Sequence, residues 1–411
     1  MKPKILWNGK DHPELTSGYS IISRYLLPHL GDRYGRENIL IYAPVYQRDA
    51  VGQWEGMRVL PGRRFDYGED KLLEHYEYWG CNLLITVGDT WPLGQLPDLA
   101  STDKVLWIAW AAVDWLGMPK NILNRIKPAY KLVPFSKYGE AALRKAGLPN
   151  VAPKIWPGLN TELWKPMPRE SLGEVMYLLG YAADSFNILI VAANQERKQV
   201  RAQLEAIRLF RDHTKADVRL YLHSHIHGER DLQADADELG LADTVIYPDS
   251  YHMEQGGFPE EVMVKVFNCA DVVLNCAQEG FGYSQLQAQA VGVPVICLNE
   301  GAGPELTVFG VETYPLGVDT MPQQMSQARA NPIGIAQALI EMWQRRRTLG
   351  QPLRSPGAVR FVQENFSWGH IARQWFTVID QAMEDRVLYC MQVPEEHDDW
   401  IKDRATTVVE L

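Results

Sequence analysis

One carboxylate followed by glycines stands out in the C-terminal third of the chain. Glu279 begins the segment 279–287 (EGFGYSQLQ), which follows the apolar run 271–277 (DVVLNCA) and precedes a second apolar run after Gly292. The pattern predicts a buried strand, a glycine-bearing loop, a short helix and a second buried strand. In an open parallel sheet, phosphate-containing ligands bind beyond the carboxyl ends of such strands. Glu279 would lie beside that phosphate, in reach of a hydroxyl-rich group attached to it.

The glycines of this loop determine what can approach it. Gly280 and Gly282 allow the backbone to come close to a ligand and to adopt conformations closed to other residues. The amides near Tyr283 and Ser284 would then open the helix toward a diphosphate. A helix dipole contributes only about 0.3–1 kcal/mol to anion binding, so the site also needs a cation.

Two adjacent cations are candidates for that role. Arg197 and Lys198 end the segment 194–198 (NQERK), which lies between a predicted strand and a predicted helix. They could be an ordinary solvated pair in a first helical turn. Because cations are mildly unfavourable at a helix N-terminus, we favour a functional role in which they stabilise a diphosphate by charge-assisted hydrogen bonds.

The N-terminal half supplies a second set of candidates. Gly18 lies in the segment 16–20 (TSGYS), which follows the first predicted strand and opens a helix. Asp114 follows the apolar strand 105–110, and Asp89 follows the strand 83–87. Each has a structural alternative, because Gly18 fits an ordinary capped helix and Asp114 fits a turn that caps the next segment. Asp89 is the weaker of the two carboxylate candidates.

Three further groups of residues have simpler explanations. His223, His225 and His227 alternate along a strand end, but no carboxylate or cysteine follows at ligand spacing, so no metal site is predicted. Glu305 fits a structural cap for the segment after it. Residues 345–347 (RRR) fit the last turn of a helix that stops at Gly350, where the helix C-terminus favours cations without an acidic partner.

Composition limits the class of protein. The chain has 411 residues, 46% of them hydrophobic, and a formal net charge of −10. That length predicts two or three domains, and that charge disfavours nucleic acid as a partner without excluding it. The five cysteines are scattered and form no CxxC pair. Because neither a signal peptide nor a membrane-spanning run is present, we expect a soluble cytoplasmic protein without an integral membrane segment.

Strands alternate with helical patterns along two series, separated by a proline-rich connector. This predicts an α/β fold with two doubly wound, Rossmann-like parallel-sheet domains that face each other across a cleft. We expect residues 1–165 to form one of these domains and residues 166–370 the other. Residues 371–411 would add a helical segment, which could pack on either domain, and an acidic tail.

Three segments together resemble a known family: 279–287 with the strand after Gly292, 194–198, and the stretch 136–144 (SKYGEAALR) with 156–166 (WPGLNTELWKP). In order and spacing they are similar to the retaining, nucleotide-sugar-dependent glycosyltransferases of the GT-B fold, family four, also called glycosyl transferases group 1. The likeness extends from about residue 18 to residue 366.

The resemblance implies roles for these residues. A nucleoside-diphosphate sugar would be the donor, with no other cofactor and no metal. The domain of residues 166–370 would bind this nucleotide sugar, and the domain of residues 1–165 would lie on the acceptor side. Lys198, Glu279 and Asp114 would act in catalysis, and Glu279 would bind hydroxyls of the donor sugar. The residues implied to bind the donor are Gly18, Arg197, Lys198, Glu279, Gly280, Phe281, Gly282, Tyr283, Ser284 and Gln287. In the family a glutamate that holds the ribose occupies the position of Gln287, so a neutral contact is expected here and the choice of nucleotide stays open. The loop 223–227 would line the base pocket.

Other functions remain open at this stage. The chain could bind a sugar nucleotide without transferring the sugar, or it could perform a different GT-B chemistry such as that of an epimerase or a phosphorylase. The acceptor is not determined by the sequence. It could be a saccharide, a lipid-linked sugar, a small metabolite, a protein or a modified nucleic-acid base, contacted by loops near Arg63, Arg64, Trp91 and Trp115.

Overall fold

The computed structural model describes residues 2–44, 50–62, 69–89, 96, 105–182, 184–320 and 325–392. Arg63, Arg64, Trp91 and the acidic tail lie outside these residues, so the acceptor contacts expected there are not addressed by the structure. The described residues form one mainly parallel sheet, one wholly parallel sheet and a small hairpin, with helices between the strands. The predicted α/β class is confirmed.

The first lobe is built on a seven-stranded sheet in the order β3-β4-β2-β1-β5-β6-β7. Its strands are β1 Ile5–Asn8, β2 Ile39–Tyr42, β3 Gly52–Trp54, β4 Met57–Leu60, β5 Leu83–Gly88, β6 Trp107–Ala111 and β7 Lys131–Pro134. All neighbours are parallel except β3 and β4. The residues of β1, β2, β5 and β6 are buried throughout, as expected of strands covered by helices on both faces.

The second lobe is built on a six-stranded, wholly parallel sheet in the order β10-β9-β8-β11-β12-β13. Its strands are β8 Phe186–Val191, β9 Val218–His223, β10 Val245–Ile246, β11 Val272–Asn275, β12 Val295–Leu298 and β13 Gly310–Thr313. A two-stranded antiparallel hairpin follows, formed by β14 Gly317–Thr320 and β15 Ser326–Arg329. The sequence did not predict this hairpin.

Helices connect the strands of both lobes. Their bounds are Gly18–Tyr34, Glu69–Tyr78, Lys120–Ile126, Lys137–Lys145, Gly173–Leu178, Val200–Thr214, Leu232–Glu238, Ser250–Glu254, Glu260–Cys269, Tyr283–Ala290, Gly303–Leu306, Pro332–Leu349, Pro356–Phe366 and Trp368–Gln392. A serine caps the helix at two of these starts, and the first is the start predicted near Gly18. Ser17 accepts a hydrogen bond from the Ser20 amide, and Ser136 accepts one from the Gly139 amide.

The last helix, Trp368–Gln392, packs on the first lobe. The Trp375 ring lies 4.9 Å from that of Trp110, between ring centroids, and Asp380 accepts a hydrogen bond of 2.8 Å from Tyr34. The chain therefore crosses between the lobes twice. The two crossings lie side by side, because the Leu159 amide donates to the Phe366 carbonyl at 2.7 Å.

The arginine run 345–347 differs from its prediction. Arg346 lies in the last turn of its helix, but its Nε is 3.2 Å from Oδ1 of Asp271, a carboxylate with a side chain only 1% exposed. Arg345 lies 3.5 Å from Glu341. The expectation that no acidic partner takes part was wrong, because Asp271 at the start of β11 needs a compensating cation when it is buried.

Candidate active site

The two lobes meet at the carboxyl ends of their central strands. A Cβ added to Gly280, in the loop after β11, would lie 3.0 Å from the backbone nitrogen of Val113 in the first lobe. A Cβ added to Gly18 would lie 3.3 Å from the ring of Tyr283 in the second lobe. A side chain at either position would be crowded by the opposite lobe, so both glycines favour the close approach of the lobes. The turn Glu196–Lys198, called the cation turn below, and the loop after β11 that carries Glu279 both lie where the lobes meet. This junction is called the crevice below.

Lys198 and Glu279 form the centre of this crevice. The Lys198 Nζ lies 2.5 Å from Oε1 and 2.7 Å from Oε2 of Glu279, and the two side chains are 15% and 13% exposed. Lys198 comes from a short 3₁₀ turn, Glu196–Lys198, that follows β8. Glu279 comes from the loop that follows β11, the strand next to β8. Adjacent parallel strands bring the two charges together.

Arg197 connects this pair with the first lobe. Its Nη1 lies 3.3 Å from Oδ2 of Asp114 and 3.8 Å from Oε2 of Glu279. Burial alone would lower the pKa of Arg197, but Glu279, Asp114 and Asp89 together raise it above its usual value. Arg197 is therefore charged and is shared between carboxylates of both lobes.

Asp114 is a buried carboxyl whose proton is held unusually firmly. Burial raises the pKa of Asp114 to about 7, and the nearby charges of Asp89 and Glu279 add to this effect, while Arg197 opposes it. Its Oδ1 is buried without a hydrogen-bond partner among the described residues. An acidic group with one free oxygen and a pKa near neutrality is suited to contact a reacting hydroxyl.

Asp89, the weaker candidate, lies beside Asp114 in a different environment. Its Oδ2 accepts hydrogen bonds of 3.0 Å from Lys10 and 3.2 Å from the Tyr19 hydroxyl. Burial alone would raise the pKa of Asp89, but Lys10 holds it below its usual range. Asp89 is therefore ionised, and its charge helps to keep the proton on Asp114. Lys10 and Tyr19 were not identified as site residues from the sequence, because their role depends on a partner about 70 to 80 positions away.

The helix Tyr283–Ala290 begins at the crevice without a side-chain cap within the described residues. Its N-cap, Gly282, has φ +104°, a left-handed conformation that favours glycine. Ser284 is held from behind, since its hydroxyl accepts from Asn275 at 2.9 Å. The first amides of this helix are therefore available to an anion, and the predicted use of Gly282, Tyr283 and Ser284 in donor binding stays a prediction.

Comparison with known proteins shows which family the second lobe resembles. Residues 185–343 match the model of the family described as Glycosyl transferases group 1. The second lobe is therefore similar to the glycosyl transferases group 1 family. D-inositol 3-phosphate glycosyltransferase from Paenarthrobacter aurescens (strain TC1) is 31% identical over 156 residues, which are 37% of this chain. The match spans 35% of the length of that relative.

Solved structures give the fold of the whole chain. Sucrose-phosphate synthase from Thermosynechococcus elongatus superposes with a TM-score of 0.72 at 17% identity, over 94% of this chain and 100% of the other. The Anabaena protein HepE in complex with UDP-glucose superposes with a TM-score of 0.68 at 15% identity, over 92% and 99%. The fold is the GT-B fold, as the resemblance implied.

Two further donor-site candidates, Phe281 and Gln287, lie in the second lobe and are both buried. Phe281 is buried and packs edge to face on Tyr283, with ring centroids 5.1 Å apart. Gln287 lies on the helix Tyr283–Ala290 and is 8% exposed. These placements do not assign a ligand contact to either residue, and their roles stay predictions.

The loop with His223, His225 and His227 is held in place through hydrogen bonds to its backbone carbonyls. His225 and His227 are exposed, whereas burial lowers the pKa of His223 to about 4. The Asn194 side chain donates to the carbonyls of His225 and Arg230, each at 2.9 Å, and so fixes the loop beside the cation turn. The residues that the structure describes contain no group of three or more His, Cys, Asp or Glu able to hold a metal ion. No described helix is long and apolar enough to cross a membrane.

Glu305 lies in the second lobe, but its carboxylate accepts hydrogen bonds from residues of the first lobe. Its carboxylate accepts hydrogen bonds from the amides of Lys137 (3.0 Å) and Tyr138 (3.2 Å) and from the Trp156 indole (2.9 Å). Glu305 is a helix cap, as predicted, but the helix that it caps is not the predicted one. Glu305 caps the helix Lys137–Lys145 of the first lobe, not the segment that follows it, because the lobes meet there.

Proposed function

We propose that this protein is a glycosyltransferase that moves a sugar from a nucleoside-diphosphate donor to a hydroxyl of an acceptor, with the anomeric configuration retained. The observation that carries the proposal is the contact between Lys198 and Glu279, at 2.5 and 2.7 Å, beside an uncapped helix start and opposite Asp114. This arrangement offers two cations to a diphosphate and a carboxylate to sugar hydroxyls within one crevice.

The cations provide the main stabilisation of the leaving group. Each charge-assisted hydrogen bond from Lys198 or Arg197 to a phosphate oxygen contributes about 1.5–3 kcal/mol. The amides of Tyr283 and Ser284 add the helix-terminus contribution of about 0.3–1 kcal/mol. In this proposal these groups match the charge that develops on the departing diphosphate, and the reaction proceeds without a metal ion.

Glu279 and Asp114 act on the two hydroxyl-bearing partners. Glu279 accepts hydrogen bonds from hydroxyls of the donor sugar and fixes the sugar against the diphosphate. Asp114, from the first lobe, orients the acceptor hydroxyl. The bond between the anomeric carbon and the phosphate oxygen breaks, the acceptor oxygen bonds to the same face of that carbon, and the leaving phosphate takes the proton of the acceptor.

Two findings support the finer parts of the proposal. HepE, which shares the fold, is described in complex with UDP-glucose, and this supports a nucleoside-diphosphate sugar as the donor. Retention is supported by the resemblance of the segments 279–287 and 194–198 to a retaining family. The transferred group is a hexosyl or a pentosyl residue. Gln287, at the ribose position of that family, makes a neutral contact.

The test begins with a thermal-shift screen of nucleotide sugars with UDP, GDP, ADP and TDP leaving groups. A donor that binds only the folded protein at 100 times its Kd adds about 2.7 kcal/mol to the free energy of unfolding. The donor found in this way is then incubated with a panel of hydroxyl-bearing acceptors, and the anomeric configuration of the product is read by NMR.

The outcomes separate the proposal from its alternatives. Release of diphosphate together with an α-linked product from an α-linked donor supports retaining transfer. Binding without any released diphosphate, across all acceptors, would show a sugar-nucleotide-binding protein. An epimerised sugar would show an epimerase, and the absence of any nucleotide-sugar binding would overturn the proposal.

A further inference from the structure

Strand β15 contacts three parts of the site that are distant in sequence. The Ser326 carbonyl accepts from the Leu116 amide of the first lobe at 2.8 Å. The Gln327 Nε2 donates to the Arg197 carbonyl at 2.6 Å. The Ala328 amide donates to Oε1 of Gln278 at 2.9 Å. Three consecutive residues therefore join the loop that carries Asp114, the turn that carries Arg197 and Lys198, and the loop that carries Glu279.

Gln199 strengthens the connection with the cation turn. Its side chain donates to the Ala328 carbonyl at 2.7 Å and accepts from the Ala330 amide at 2.6 Å, in the manner of a neighbouring strand. Its φ is +50°, a left-handed conformation that is unfavourable for a residue other than glycine. Such a conformation persists where the surrounding contacts impose it. Arg197, Lys198 and Gln199 are thus held in place by β15 from one side.

Gln278 extends the connection to the first lobe. It is fully buried, and its Nε2 donates to the Tyr138 hydroxyl at 3.1 Å. That hydroxyl donates in turn to the carbonyl of Trp115, also at 3.1 Å. Two separate paths, one through Leu116 and one through Tyr138, therefore join β15 to the residues directly after Asp114.

We propose that β15 is a positioning brace that aligns Arg197 and Lys198 with Glu279 only when the Asp114 loop is docked, and that Gln327 is its principal positioning residue. Gln327 touches no reacting group and acts through the carbonyl of Arg197. It is 4% exposed, so its amide is committed to this contact and not to solvent. The catalytic consequence rests on the proposed transferase function, whereas the mechanical coupling does not.

The first experiment measures steady-state transfer by Gln327→Ala and Gln327→Met. Methionine has nearly the shape of glutamine but lacks the N–H donor. Both variants are expected to lose about 10- to 100-fold in kcat, because a small displacement of the cations removes stabilisation of the transition state. The KM for the donor should change less than about threefold, since both cations remain near the diphosphate. Asp319→Ala, an exposed change on β14, is the matched control and should retain wild-type kcat.

Two results would overturn the brace. Recovery of kcat in Gln327→Met would show that Gln327 acts only by filling space. An equal loss in Asp319→Ala would show that any disturbance of the hairpin has the same effect.

The second experiment needs no ligand and separates this inference from the proposed function. Amide hydrogen exchange is followed in the wild type and in Gln327→Ala, for peptides that contain Leu116, Lys198 and the strand Phe186–Val191. The peptides with Leu116 and Lys198 are expected to exchange about tenfold faster in the variant, while the strand is unchanged. Unchanged exchange at both peptides would refute the coupling. Faster exchange at both, in a protein that binds no nucleotide sugar, would support the brace and refute the transferase.

Discussion

Lys198 must change partners when a donor binds, because its ammonium now contacts both oxygens of Glu279. In the proposed mechanism one of its three N–H donors moves to the diphosphate while the others keep the carboxylate in place. Lys198→Ala is expected to lower turnover by about 10²–10³, the usual cost of removing one preorganised group that stabilises developing charge. Steady-state kinetics with the donor identified by thermal shift will measure the loss.

The matched control for this prediction is Lys165→Ala. Lys165 lies in an exposed ion pair with Glu162, at 2.8 Å, and such pairs contribute little to stability. It should keep wild-type turnover. Thermal melting of both variants will show whether they are folded, and an unchanged rate in folded Lys198→Ala would remove Lys198 from the mechanism.

Asp114 links stability to pH in a direction opposite to that of most carboxyl groups. Its folded pKa is raised by burial to about 7, above its ordinary value of 3.8. Between these values the folded protein binds the proton and the unfolded chain does not, so this group lowers the free energy of unfolding as pH rises from about 4 to 7. Asp114→Asn removes the ionisation. It is therefore expected to raise the melting temperature at pH 8 by about 2 °C or more, and to change it little at pH 4.

Ionisation of Asp114 should affect activity in the opposite direction: activity is expected to rise with pH, whereas the free energy of unfolding falls. If ionised Asp114 accepts the hydrogen bond of the acceptor hydroxyl, wild-type kcat/KM rises with pH through about 7, and Asp114→Asn has low activity without that step. Asp243→Asn, an exposed aspartate, is the control for charge alone. A variant that keeps the wild-type pH step would show that another group produces it.

The placement of the candidate site residues was predictable where it depends on local sequence. Arg197, Lys198 and Glu279 each lie in the loop or turn after an apolar strand, and adjacent parallel strands bring such loops together. The identity of partners across the crevice was not predictable, since Lys10 pairs with Asp89 and Arg197 with Asp114 over separations of about 80 positions. Those contacts depend on how the two lobes meet, which no local pattern encodes.

At the scale of elements, the loop between β11 and its helix depends on one backbone conformation. Gly282 has φ +104°, and an added Cβ would lie 2.2 Å from Oε1 of Gln285, a side chain that must then move. Gly282→Ala is expected to cost about 1–2 kcal/mol of stability from the left-handed conformation. It should also weaken donor binding about tenfold or more, because the first amides of the helix shift.

Gly350 offers a control with the same backbone strain and no ligand. It ends the helix Pro332–Leu349 with φ +73°, and an added Cβ would meet no atom within 4 Å. Gly350→Ala should lose a similar amount of stability and bind the donor normally. Denaturant unfolding and calorimetric titration measure the two effects separately, and equal donor affinity in both variants would contradict the role given to Gly282.

Elements were predictable in proportion to their burial. The strand predicted at residues 83–87 is β5, which is buried throughout and ends one residue later. The strand predicted at residues 105–110 is β6, which is also buried throughout and begins two residues later. The hairpin of β14 and β15 was missed because its first strand, GVDT, is largely exposed and lacks a regular apolar pattern. Its stability comes instead from polar contacts such as those of Gln199 and Gln278. These contacts join residues that are distant in the sequence, so no local sequence pattern indicates them.

At the scale of the molecule, polar contacts hold the lobes closed around the crevice. Glu260 of the second lobe accepts from Tyr25 at 2.7 Å and pairs with Arg24 at 3.2 Å. Thr16 donates to the Gly256 carbonyl at 2.6 Å. Contacts of this kind break at a lower cost than an apolar core. We therefore expect the two lobes to separate and close again, as the substrate exchange of the proposed function requires.

Glu305 provides the clearest test of this closure, because its carboxylate caps a helix of the opposite lobe. Hydrogen bonds to a charged group contribute about 1.5–3 kcal/mol, so Glu305→Ala should shift the molecule toward open lobes. Small-angle scattering is expected to show a larger radius of gyration, and transfer should slow about tenfold or more because Asp114 no longer meets Arg197. Binding of the free nucleoside diphosphate should persist, since Arg197 and Lys198 belong to the same lobe as the helix Tyr283–Ala290. Glu364→Ala, an exposed glutamate on the helix Pro356–Phe366, should leave shape and rate unchanged. If Glu305→Ala keeps the scattering profile and the transfer rate of the wild type, the closed arrangement does not depend on this cap.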